Sequence, residues 1–331
     1  MATRYTAANL GSILKCTANN FIENNSLRLA GALAYNAIFS LPPLLLIVIT
    51  AASTFFDQEA VTGKLFTQID GLVGAKAAAS IQDSIRTFNQ QQQGGISAVI
   101  GIGTLIFAAT TFFVTLQESI NSIWNVKAKP DTTAGSAWNF VRDRLLSFGL
   151  ILSVALLLLM SFVISALLEA FTDYLARILP GVTVVLIRVI DLVVSLGVTT
   201  VLFAMIYRYL PDAIIRWRDV RIGALITAVL FLLGKYLISF YISNFDPGSA
   251  YGAAGSIIVL LVWIYYSSLI IFFGAEFTQE YAAAYGQRVQ PKAHAVRIET
   301  REVPFHKTED SVDSGRPEPE GAWRDNKKRN K

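Results

Sequence analysis

The chain has 331 residues, of which 53% are hydrophobic and only 16% charged, and its formal net charge is +4. A soluble domain usually carries about 25% charged residues, so an ordinary soluble globule is excluded. Residues 284–331 hold 11 of the 28 Lys+Arg and 8 of the 24 Asp+Glu, which leaves the rest poorer still in charge: a membrane composition followed by a polar tail.

Residues 8–30 place Leu10, Ile13, Leu14 and Phe21 at helical spacing beside Lys15, Glu23 and Arg28, the pattern of a short interfacial helix. Cys16 is the single cysteine, which rules out an intrachain disulfide and a cysteine-based zinc site. No charged leader with a cleavage site precedes the first apolar run, so that run is expected to act as the insertion signal and to stay in place. It spans about Leu33 to Phe56 and carries Ser40-Leu41-Pro42-Pro43 near its middle. Each proline removes a backbone donor, freeing the carbonyls of Ile38 and Phe39. Asn36 and Ser40, four apart on one face, are candidates to serve them. Two readings stand: a broken helix lining a site, as in many transporters, or an ordinary proline kink.

Residues 57–95 form a polar excursion. Ala77, Ile81, Ile85 and Phe88 recur at helical spacing among Lys76, Gln82, Asp83 and Arg86, as in an amphipathic helix on the membrane surface or capping the bundle. The second span, 96–120, ends in Gln117-Glu118 and Asn121 before Trp124, an interfacial anchor. The third, 145–168, has no ionisable residue. The fourth, 183–209, carries Arg188 and Asp191 and is closed by Tyr209-Leu210-Pro211-Asp212. The fifth, 222–243, contains Lys235, and Asp246-Pro247-Gly248 turns the chain into the sixth. Asp191 and Lys235 fall at similar depth and are expected to pair, with Arg188 one turn away able to share the carboxylate.

The sixth span, 254–276, is the one around which the others are expected to pack. Its apolar run is interrupted by Tyr265-Tyr266-Ser267-Ser268 and closed by Glu276, and polar groups at mid-depth should face protein or water rather than lipid. After residue 283 the chain turns polar and Pro-rich, and 284–331 is read as a disordered cytoplasmic tail. The fold class is therefore all-α: a polytopic membrane protein of six transmembrane helices with interfacial amphipathic helices. With the N-terminus inside, the inner segments carry Lys127, Lys129, Arg142, Arg144, Arg208, Arg216, Arg218 and Arg221 besides the tail. The outer ones keep Lys64, Lys76, Arg86 and Arg177. That bias puts both termini inside, and it explains the positive balance without a nucleic-acid partner.

Three segments in order resemble the YihY/BrkB family of bacterial inner-membrane proteins: Ala30-Gly31-Ala32-Leu33-Ala34-Tyr35 through Phe39-Ser40-Leu41-Pro42-Pro43; Tyr209-Leu210-Pro211 with Gly223-Ala224; and Tyr251-Gly252-Ala253 through Trp263-Ile264-Tyr265 to Gly274-Ala275-Glu276. The likeness covers roughly residues 10–283. It implies a six-helix inner-membrane protein. Members have carried three labels: serum-resistance virulence factor, transporter and, in older naming, ribonuclease BN. The last label fits poorly, because both histidines, His294 and His306, lie in the tail and no Gly-rich phosphate loop is present.

No catalytic, metal or cofactor site is expected, and the chain is expected not to be an enzyme. The functional expectation is a transporter or permease for an ion or small amphiphile, resting on Asn36, Ser40, Pro42, Pro43, Glu118, Arg188, Asp191, Lys235, Tyr265, Tyr266 and Glu276. The alternative is a non-transporting envelope protein that binds membrane lipids or organises partners. Self-association into a homo-oligomer is compatible with either.

Overall fold

A computed structural model describes residues 7–54, 57–73, 75–90, 96–129, 183–245, 249–285 and 289–299, with single positions at 149, 153 and 247. By compactness the chain divides into residues 1–298 and 299–331, and the architecture below is that of the first unit.

Helix α1 (Ala7–Glu23) turns into α2 (Ser26–Ser53) through Asn25 at φ 55 and ψ 38, a left-handed conformation that Asn tolerates better than most residues. The first expected span thus begins seven residues early. Helix α2 is continuous through Pro42 and Pro43, so the broken-helix reading does not hold. Ser40 Oγ donates to the Asn36 carbonyl at 2.9 Å, and Asn36 Nδ2 donates to Thr115 Oγ1 at 2.9 Å. Neither bond goes to the carbonyls of Ile38 and Phe39. Asn36 instead ties α2 to α5.

The excursion after α2 is two helices rather than one, α3 (Gln58–Val73) and α4 (Ala75–Gln90). Asp57 caps α3, its Oδ2 accepting from the amides of Glu59 and Ala60 at 3.1 Å. Both helices bury an apolar stripe, Val61 and Leu65 on α3, Ala78, Ile81 and Ile85 on α4. They close one end of the bundle, where Ser80 Oγ donates to Ser256 Oγ at 2.9 Å.

Helix α5 (Ile96–Ile123) covers the second expected span, and β1 (Val126–Ala128) follows it. The third expected span lies outside the described residues. Then come α6 (Thr183–Tyr209), β2 (Ala213–Ile214), α7 (Trp217–Phe245) and, after a 3₁₀ turn over Ser249–Ala254, α8 (Gly255–Tyr285). Within that turn Gly252 sits at φ 55 and ψ −123, a region essentially reserved for glycine. Among the described residues, four helices are long and apolar enough to cross a membrane: α2, α7 over Trp217–Ile242, α8, and α6 over Leu192–Tyr209.

Helix α8 packs on α1, α2, α5 and α7 as well as the capping pair, so the sixth span is the hub. The main core joins Leu33, Phe113, Leu116, Phe203, Tyr207, Val220 and Phe272 from five helices. Helix α1 does not simply lie at an interface. It buries Ile13 and Thr17, and Ile13 packs with Phe277 and Tyr281 of α8.

Helix and strand continue into the segment expected to be tail from residue 284. Helix α8 runs to Tyr285, and the chain returns as β3 (Gln290–Pro291), antiparallel to β2, and β4 (Ala295–Arg297), antiparallel to β1. Residues 300–331 lie outside the described residues.

Candidate functional site

Helices α7 and α8 meet through two copies of one pattern, Gly-x-x-x-Thr. Gly223 of α7 faces Thr278 of α8, and Gly274 of α8 faces Thr227 of α7; a Cβ on either glycine would fall inside the opposing threonine side chain. Each threonine hydroxyl donates to the carbonyl of the glycine one turn before it, Thr227 to Gly223 at 2.8 Å and Thr278 to Gly274 at 2.7 Å. The hydroxyls are thereby satisfied without water, and the backbones approach closely, which is how helices associate where lipid offers no hydrophobic drive. Tyr207 of α6 joins the contact, donating to the Ile271 carbonyl at 2.7 Å with its oxygen 3.2 Å from Thr227 Oγ1.

Beside this seam lies a cavity of about 310 Å³ between α2, α5, α6, α7 and α8. Its walls are aromatic and aliphatic, with Phe112, Phe113, Phe203, Phe231 and Trp263 prominent and Ser267 and Ser268 supplying hydroxyls. Ser268 Oγ is spent on the Ile264 carbonyl at 2.7 Å, whereas the buried indole N–H of Trp263 has no acceptor. None of the described lining residues is ionisable.

The opposite end from the α3–α4 cap is polar. Asp212, buried after α6, is held from three sides. Asn121 Nδ2 donates to its Oδ2 at 2.9 Å and Gln117 Nε2 at 3.3 Å, while His294 Nε2 lies 2.9 Å from its Oδ1. In return the Asp212 amide donates to Asn121 Oδ1 at 2.8 Å, and the Lys292 amide donates to the Asp212 carbonyl at 2.9 Å. Nearby, Asn20 on α1 and Asn24 in the turn just after it meet two glutamates one turn apart on α8: Asn24 Nδ2 donates to Glu276 Oε1 at 2.7 Å and Asn20 Nδ2 to Glu280 Oε1 at 2.8 Å. Glu276 is fully buried, and its Oε2 has no donor among the described residues.

The expected site residues therefore separate. Asn36 and Ser40 sit on the α2 face toward α5, with Pro42 and Pro43 a turn further on in an unbroken helix. Tyr265 and Tyr266 are half-buried on α8, and Tyr266 lies against Gly234 of α7. Glu276, read as the carboxylate that closes the span, is buried at the polar end and accepts from Asn24 after α1. Glu118 is exposed; its neighbours Gln117 and Asn121 are the buried ones. Lys235 is half-buried on α7, while the side chains of Arg188 and Asp191 lie outside the described residues, and with them the expected ion pair. Sequence reasoning missed Asp212 and His294. An Asp followed at once by Ala213-Ile214-Ile215, and an alternating apolar run around Ala295, Val296 and Ile298, were the available signals.

The model of the virulence factor BrkB family matches residues 17–299. That reaches past the expected boundary at 283 and ends one residue beyond the first unit. The chain is similar to the UPF0761 membrane protein of Psychromonas ingrahamii, with 30% identity over 75% of this chain and 80% of that one. It is similar also to that of Pseudoalteromonas translucida, with 29% identity over 78% and 82%. A longer relative, from Ralstonia nicotianae, is 27% identical over 76% of this chain and 55% of its own length. No solved structure matches.

Proposed function

This chain belongs to the virulence factor BrkB family, and on that premise we propose that it is a permease for an amphiphile whose apolar part enters the cavity between α2, α5 and α8. The observation that carries this reading is the cavity's lining, aromatic and aliphatic with hydroxyls and no ionisable group among the described residues. An acyl chain passes from lipid into such walls at little cost, because lipid tails are as apolar as the cavity. A bare ion would lose its hydration with nothing to replace it, at a cost of many kcal/mol. The amphiphile therefore accounts for the site better than an ion does. The bacterial inner membrane, with both termini in the cytoplasm, is the setting that fits the distribution of Lys and Arg. In this reading the protein makes and breaks no bonds in its substrate.

The test is reconstitution of the purified chain in liposomes loaded with short-chain fluorescent phospholipids, assayed in parallel for sodium, potassium and proton flux. Lipid movement without ion flux supports the permease. Retention of lipid on the protein with no movement would replace it with a lipid-binding, non-transporting role.

A further inference from the structure

At the polar end a second cavity of about 310 Å³ lies between the end of α5, the last turns of α8 and the returning strands, lined by Trp124, Gln279, Glu280, Ala283, Val289 and Arg297. Its volume is at the lower end of the range for small-molecule sites, about 300–1,000 Å³. Two features of its walls are unusual. Charges of opposite sign share it, Glu280 from α8 and Arg297 from β4, yet among the described residues no ion pair joins them. The two charges are also differently engaged: Glu280 Oε1 accepts from the Asn20 amide at 2.8 Å, while Arg297 is exposed. A carboxylate on one wall suits a ligand bearing positive charge and N–H donors, and a guanidinium on the other suits an anion.

We propose that this cavity binds a zwitterion in which a protonated primary amine is linked to a phosphate, its ammonium on Glu280 and its phosphate on Arg297. Phosphoethanolamine is that chemistry, as a lipid headgroup or as a soluble molecule. A quaternary choline satisfies the charge but has no N–H to give the acceptors, and a glycerol headgroup lacks the charge. The assignment deepens the permease reading by naming the headgroup its amphiphile would carry, but binding is measured without transport. Lack of lipid movement with binding retained would sink the permease and leave the site.

The experiment is calorimetric titration of the full chain in detergent with short-chain phosphatidylethanolamine, phosphatidylcholine and phosphatidylglycerol, and with free phosphoethanolamine. Phosphatidylethanolamine should bind at least tenfold tighter than the other two lipids. Glu280→Gln, which keeps an acceptor for Asn20, should erase the preference. Arg297→Gln, a change to an exposed side chain, should weaken binding of every phosphate-bearing headgroup. Free phosphoethanolamine competing at similar affinity would make the natural source soluble; no competition would make it the lipid. Equal binding of all three lipids, or an ethanolamine preference that survives Glu280→Gln in a protein that still melts cooperatively, would overturn the proposal.

Discussion

Asn121 grips both the backbone amide and the carboxylate of Asp212, a two-point clamp from the last turn of α5 to the turn after α6. The pair is buried, so neither partner can turn to water when the other is removed. Asn121→Ala should cost about 2–4 kcal/mol, because a carboxylate and an amide both lose partners in a low-dielectric site. Thermal unfolding in detergent checks this, and Glu118→Ala at the exposed neighbouring position is the control that should change little.

His294 carries the same network into the returning segment, which bears on where the domain ends. Ending the chain after Glu299 should leave its melting temperature within a few degrees of the full chain. Ending it after Gln287 removes β3, β4 and His294 and should lower it clearly. His294→Ala should fall between, with faster tryptic cleavage at Lys292 or Arg297. Equal melting of the two truncations would mean that the strands add no stability.

The α7–α8 seam makes a reciprocal prediction. Gly223→Ala and Gly274→Ala each introduce a methyl where the facing threonine already sits, and each should destabilise by about 1–3 kcal/mol, the usual cost of overpacking. Thr278→Ala on the Gly223→Ala background should recover part of that loss, as coupled neighbours do. Simple additivity would show that the two residues are not opposed.

Because α2 runs unbroken through its prolines, replacing Pro42 and Pro43 with Ala restores two backbone hydrogen bonds without rebuilding a helix. The double variant should insert normally and melt at or above the wild-type temperature. A large fall would mean that the bend itself seats α2 against α5.

What was legible in the sequence follows from the range of each interaction. Apolar run length is local, and it located α5, α6 and α7 to within about five residues at each end, whereas α2 begins seven residues early and α8 runs nine residues longer. The polar breaks at Tyr265 and Ser267 also marked α8 as the hub, because four consecutive hydroxyl-bearing residues in an apolar run exclude a lipid-facing surface. The sites were not legible in this way. Asp212 is joined to Asn121 across 91 residues and to His294 across 82, and Glu276 to Asn24 across 252; no spacing rule reaches that far. His294 stands among Arg, Glu and Pro, a composition that reads as tail until its contact with Asp212 after α6 is seen. The glycines at 223 and 274 stood in the resembling segments, but the threonine opposite each becomes visible only when α7 and α8 are brought together.

The central claim, that an amphiphile crosses by way of the apolar cavity, is tested most directly by filling that cavity. Ser267 of the hub helix lines it, so Ser267→Phe should occupy the space with an apolar ring. Liposomes holding a fluorescent phospholipid in both leaflets are treated with a membrane-impermeant quencher. Wild-type protein should carry the quenched fraction beyond the outer leaflet's share, and Ser267→Phe, at equal reconstitution and a similar melting temperature, should return it to that of protein-free liposomes. Quenching by the wild type no greater than without protein, or undiminished movement through the filled variant, would contradict the account.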